Sequence, residues 1–169
     1  EQPTPSDPNM AQFYGLALPP LKHGMPVTPV QLENVTLPGF LDGQKVLLLT
    51  YEGQKPLRPE VHDALATWVK QGGTLIVADD DQDPYQHVRE WWNDSGKTRR
   101  IPRQHLFAAL GLGDDAPTGT MIQAGGGHVV WLRESPVRFA LDRAAEDRLM
   151  DTLRQAAQAT KLAWRETNH

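Results

Sequence analysis

The sequence predicts a single α/β domain, a three-layer α/β/α sandwich with a mostly parallel central sheet. Two apolar runs, residues 45–50 (KVLLLT) and 74–78 (TLIVA), read as strands covered on both faces. Parallel sheets buried between helices carry such continuous runs rather than alternation. An amphipathic helical pattern separates the two runs, and strand–helix–strand order implies a βαβ unit with a right-handed crossover. At 169 residues the chain is long enough to bury one core unaided. With 39% hydrophobic and 22% charged residues it has a globular rather than a disordered or fibrous composition.

Each element has its own signal. Residues 1–8 hold three prolines and no apolar side chain, so they read as a linker or arm, or as a mature N-terminus after cleavage. Residues 9–22 read as a helix capped by Asn9, with Met10, Phe13, Tyr14, Ala17, Leu18 and Leu21 at three-to-four-residue spacing, and His23-Gly24 as its stop. Residues 26–32 have strand-like content, but Pro29 removes a ladder donor and confines them to a short or edge strand. Pro38-Gly39 and Asp42-Gly43 are turns.

Residues 59–71 form the clearest helix. Pro59 and Glu60 suit its first turn, Val61, Leu65, Trp68 and Val69 make a stripe, and Gly72-Gly73 ends it. A helix over residues 84–92 and a short one over 103–110, closed by Gly111, come next. Met121-Ile122 and residues 128–132 flank Gly125-Gly126-Gly127 as a hairpin. A closing helix spans residues 141–160, and residues 162–165 read as a last short strand.

Composition removes several function classes. With no cysteine there is no disulfide scaffold, thiolate metal site or cysteine nucleophile. A net charge of -4 exerts no general pull toward nucleic acid or an anionic membrane surface. No apolar run approaches the roughly 20 residues of a membrane span. The expected state is soluble, with a cytoplasmic or a secreted location equally open. GxGxxG, Walker A, HExxH and GxSxG motifs are all absent.

Sites on such sheets lie beyond the carboxyl ends of strands. That points to Tyr51 and Glu52 after one run, and to Asp79, Asp80, Asp81 and Asp83 after the other. Asp79, Asp81, Asp83, Tyr85, His87 and Glu90 follow the ligand spacing of an EF-hand, but Pro84 stands where that loop needs glycine. A looser Ca2+ site on Asp79, Asp81 and Asp83 is one reading. Asp83 capping a helix that opens with Pro84 is the simpler one, and no cofactor is expected.

Tyr85, Trp91 and Trp92 add aromatic faces near these carboxylates, a pairing suited to saccharides. Neighbouring tryptophans on a helix point about 100° apart, so one of the two should reach a boundary or a pocket. Lys97, Arg99, Arg100 and Arg103 form a basic stretch expected to pair with the acidic loop. His62 and His105 read as surface or capping groups. Glu52 with Asp79 or Asp80 is the one carboxylate pair placed for glycoside hydrolysis; Glu52 holding its loop through Lys55 is the alternative.

Two segments carry a resemblance. The first is VLLLTYEGQKPL at residues 46–57, followed by PEVH at 59–62 and ATWVKQGGTLI at 66–76. The second is DPYQHVREWWN at residues 83–93 with PRQHLF at 102–107. The first resembles the class I glutamine-amidotransferase-like fold, flavodoxin-like in the broad sense, over about residues 10–160. It is most similar to the versions in carbohydrate-active proteins, the β-galactosidase trimerisation domain and ThuA-like domains.

The resemblance implies one such domain over residues 9–169, other domains of a larger carbohydrate-active protein as partners, and a homotrimer. It also locates the departure. A working amidotransferase carries cysteine at the turn after the strand at 74–78, where this chain has Ala78-Asp79-Asp80-Asp81. An aspartate is a poor nucleophile for acyl transfer, so glutamine hydrolysis is excluded. The expected role is a non-catalytic assembly or accessory domain, with Tyr51, Glu52, Asp79, Asp80, Asp81, Asp83, Tyr85 and Trp92 as ligand contacts. The competing roles are a sugar-active hydrolase using Glu52, Asp79 or Asp80, and a glycan- or cation-binding module.

Overall fold

The computed structural model describes residues 10–94 and 100–167, so the N-terminal arm and its Asn9 cap, with Lys97 and Arg99, lie outside the described residues. Among the described residues there are five helices and a four-stranded sheet. In chain order they are α1 (Ala11–Lys22), β1 (Val46–Leu49), α2 (Glu60–Lys70), β2 (Thr74–Ala78), α3 (Pro102–Leu110), β3 (Met121–Ala124), β4 (Gly127–Leu132), α4 (Val137–Leu141) and α5 (Arg143–Ala159).

The sheet order is β1-β2-β4-β3, parallel from β1 through β4 and antiparallel at β3. A two-glycine turn joins β3 to β4, and Gly125 supplies its positive φ of 63°. Helices cover both faces. Leu47 and Leu49 of β1 face the cluster formed with α2 and α3, whereas Val46 and Leu48 face the one formed with α5 and Leu16 of α1. Gly15 lets α1 lie directly on the chain before α4, since a Cβ there would stand 1.9 Å from the Pro136 carbonyl oxygen.

β2 is buried throughout, as its composition predicts. β1 has packing on both faces but is an edge strand, and Val46, Leu47 and Leu48 are only half-buried. Residues 26–32 form no strand; Pro26 and Pro29 lack donors, and a 3-10 turn, Leu32–Thr36, follows. The expected helix over 84–92 shrinks to the 3-10 turn Pro84–His87. Beyond it, the Asn93 side chain donates to the Val88 carbonyl and accepts from the Glu90 N–H, and the Trp92 indole donates to the Gln86 carbonyl.

The closing helix runs unbroken as α5, from Arg143 to Ala159, and a separate short helix, α4, precedes it. Asp142 leaves helical geometry and caps α5 by accepting from the Ala144 and Ala145 N–H groups. Residues 162–165 are not a strand. They fold back along α5, where Leu162 donates to the Ala157 carbonyl and Arg154 grips Glu166. No helix among the described residues is long and apolar enough to cross a membrane.

Candidate functional site

Beyond the carboxyl ends of β1 and β2 lies a cleft of about 400 Å3. Glu52, Asp80, Asp83, Tyr85, Gln82 and Ser135 line it, with Gln12 of α1 at its margin. Four of the expected site residues therefore meet here. The other four belong to the walls behind it.

Asp79 is fully buried. Its carboxylate accepts from the Tyr51 N–H (3.3 Å), the Asp81 N–H (2.7 Å) and the Gln86 side chain (2.9 and 3.0 Å). Its carbonyl takes the Trp131 indole N–H at 2.9 Å. Burial raises its pKa, and these donors counter only part of that. Asp79 is the post around which the acidic loop is wound, with no direct place in the cleft.

Asp81 turns away as well, its backbone in the left-handed region at φ 63°. It forms a bidentate pair with Arg103, Nε to Oδ1 at 2.8 Å and Nη2 to Oδ2 at 2.7 Å. Arg103 is 1% exposed and stacks 3.8 Å from the Trp131 ring centroid. The basic stretch does meet the acidic loop, but at Arg103 the meeting is buried rather than solvated.

Asp83 is the predicted cap. Its Oδ1 accepts from the Tyr85 N–H at 2.9 Å, with Pro84 opening the 3-10 turn. Its Oδ2 takes Lys55 Nζ at 2.7 Å and the Gly53 N–H at 2.9 Å, pinning the β1 loop to the β2 loop. Burial works to raise its pKa, but Lys55 and the two N–H groups outweigh it and hold the carboxyl below its ordinary range. Lys55 thus serves Asp83 and the Tyr51 carbonyl, not Glu52.

Asp79, Asp81 and Asp83 consequently face three different partners. A cation there would have to displace Arg103 or Lys55. Among the described residues, no group of three or more acidic or histidine side chains converges as a metal site.

Glu52 differs from all of them. One oxygen accepts from Ser135 Oγ at 2.9 Å and from Gln12 Nε2 at 3.5 Å, while Oε2 is buried with no partner. Burial raises its pKa, assisted by the charges of Asp80 and Asp79. Asp80 remains half-buried in the cleft and, among the described residues, is bonded only to Gln82 of its own loop. Tyr85 is 69% exposed and offers a bare ring face. Trp92, expected as a ligand contact, is buried instead.

A second buried cluster went unread in the sequence. Tyr51 OH lies 2.6 Å from His62 Nε2, and His62 Nδ1 lies 2.9 Å from His105 Nδ1. Trp91 packs edge-on against both imidazoles and donates to the Pro56 carbonyl. Neither histidine is a surface cap. His62 is fully buried, and burial followed by the neighbouring His105 lowers its pKa to about 3, so it is neutral. Its position offered a signal, because residues 62, 65, 66 and 69 share the inward face of α2.

No family model matches this chain, and comparisons with curated proteins and with solved structures likewise find no match.

Proposed function

We propose that this chain is a non-catalytic accessory domain of a larger carbohydrate-active protein, and that the cleft holds a saccharide. The observation that carries this reading is the division of labour among the carboxylates. Asp79, Asp81 and Asp83 are consumed by internal partners. Glu52, Asp80, Gln12, Gln82 and Ser135 offer polar groups in a cleft beside the exposed ring of Tyr85. Hydroxyls seek such groups, while the C–H face of a pyranose stacks on a ring.

The resemblance to β-galactosidase trimerisation and ThuA-like domains supports the same substrate class, a flavodoxin-like sheet and assembly as a trimer. A chain with no cysteine has no amidotransferase nucleophile. One observation favours a second reading, a sugar-active hydrolase. Glu52, whose pKa burial raises, shares the cleft with the Asp80 carboxyl, and glycoside hydrolysis uses a pair of carboxyls.

Titration with a panel of mono- and oligosaccharides, followed by amide NMR, tests the proposal. Saturable shifts at Glu52, Asp80 and Tyr85, weakened about tenfold by Tyr85→Ala, are the expected result. No shift at any of these residues sinks the saccharide site. Turnover of a glycoside that Glu52→Gln abolishes replaces it with the hydrolase. Light scattering that shows a monomer at high concentration removes the trimer.

A further inference from the structure

A second, larger cavity of about 710 Å3 lies beside the free edge of β1. Val46, Leu47 and Leu48 form one wall, residues 25–30 the other, and Leu16 of α1 with Trp164 lies between. It is rimmed by exposed apolar side chains, Phe13, Val30 and Leu162 among them. We propose that this groove receives one further β-strand, an extended apolar segment that runs parallel to β1 and is joined to α1 through the apolar-free arm of residues 1–8.

The path of the chain fixes the occupant. α1 starts at the carboxyl edge of the sheet, where Gln12 reaches Glu52. After α1, residues 25–30 border the groove together with residues 43–45, at the amino end of β1. The chain then climbs back toward the carboxyl edge, where Glu33 accepts from the Leu57 N–H. On the way it changes faces. Met25 packs with the α5 cluster, whereas Leu32 and Val35 pack with the α2 cluster.

Residues 25–31 therefore pass the sheet in the direction of β1, across the groove from it, without pairing to it. An inserted strand would pair with β1 on one side and with this segment on the other.

Handedness agrees. From β1 to β2 the chain steps one way across the sheet, with α2 on the Leu47 face. From the inserted strand through α1 to residues 25–31 it would step the other way, with α1 on the opposite, Leu48 face. Reversing both the step and the face preserves the right-handed crossover that parallel sheets require. The completed order begins with residues 25–31, then the new strand, then β1-β2-β4-β3. It reverses direction at the new strand, next to Glu52, which is where such sheets place their ligand crevice.

The same insertion accounts for three separate oddities. An unbroken apolar run sits on an edge strand, a valine-bearing segment passes it unpaired, and the buried Oε2 of Glu52 has no donor. Glu52, Gly53 and Gln12 border both the groove and the cleft, so backbone N–H groups at the end of the new strand would arrive beside that oxygen. A second copy of the domain does not fit as well, because two concave grooves brought face to face leave the space between them unfilled. The inference does not rest on the saccharide reading, although the groove and the cleft share Glu52, Gly53 and Gln12.

The test joins a strand of about five valine and isoleucine residues to Glu1 and compares it with a Gly/Ser extension of equal length. Hydrogen exchange at Val46–Leu49 is the readout, with the buried Thr74–Ala78 amides as the internal standard. The apolar extension is expected to slow exchange of the outward β1 amides roughly tenfold or more and to abolish binding of a hydrophobic dye. A lysine-flanked peptide of the same strand, added to the unextended chain, should shift the methyl resonances of Val27, Val30, Leu47 and Leu48. Indistinguishable extensions together with a silent peptide would overturn the proposal. So would an unextended chain that is dimeric and already protected at β1, which gives the groove to a second copy.

Discussion

The loops that follow β1 and β2 are equally polar in sequence and opposite in what they do. After β2, the Asp79, Asp81 and Asp83 carboxylates are each held by at least two donors, one of them a buried guanidinium. After β1, Tyr51 depends on a neutral histidine and Glu52 keeps an oxygen without a donor. A row of aspartates past a strand invites a reading as a ligand site. Here it builds the wall, and the half-satisfied carboxylate beside it is the one that faces the cleft.

The sharpest way to break this contrast is at Arg103. Replacing it with methionine keeps much of the packing on Trp131 but strands the Asp81 carboxylate, which is only 15% exposed. Breaking a buried pair from one side costs about 3–5 kcal/mol. Arg103→Met should lower the urea midpoint by a corresponding amount with an unchanged m-value.

Acid separates the two loops next. His62 is held near pKa 3, below the ordinary 6.5, so the unfolded chain takes up its proton first. Its contribution is fully present above about pH 6.5 and is lost as the pH falls toward 3, by up to about 1.4 kcal/mol per pH unit. Thermal melts of wild type and His62→Gln across pH 7 to 4 should diverge at neutral pH and converge on acidification. The paired Asp83, with its pKa held down, loses its contribution only below the ordinary carboxylate range.

Lys55→Met tests the clasp between the loops. It removes the charge partner from an Asp83 that keeps two backbone donors. A charge-assisted bond of this kind is worth about 1.5–3 kcal/mol. Chemical denaturation should show that loss, together with faster exchange of the Gly53 amide.

The sequence was most informative where the signal is local. β2, α2 and the Asp83–Pro84 cap follow from apolar spacing, a Gly-Gly stop and a cap-proline pair, all within a few residues of one another. β1 reads as a strand for the same reason, but its edge position depends on strand order, which no local pattern encodes. Arg103 looks like one member of a solvated basic run because its partners, Asp81 and Trp131, lie 22 and 28 positions away. Tyr85 stands out as exposed and Trp92 does not stand out as buried. Side-chain bonds from Asn93 and from Trp92 itself had already diverted that segment from a helix. Glu52's place at the cleft was legible from its position after an apolar run; its unpartnered oxygen was not, since Ser135 and Gln12 come from distant elements.

The smallest effect is expected at Glu52, and its sign is the informative part. Burial raises its pKa, so its ionised form is less comfortable in the folded chain than in the unfolded one. Its contribution is present below the ordinary carboxylate pKa and is lost as the pH rises through the raised folded value. Glu52→Gln abolishes that loss while keeping an acceptor for Ser135 and Gln12. The variant should melt about 1–2 °C above wild type at pH 7 and level with it at pH 4. A fall at pH 7 comparable to that of Lys55→Met would mean that Glu52 is already as well held as the aspartates. The two loops would then no longer differ in kind.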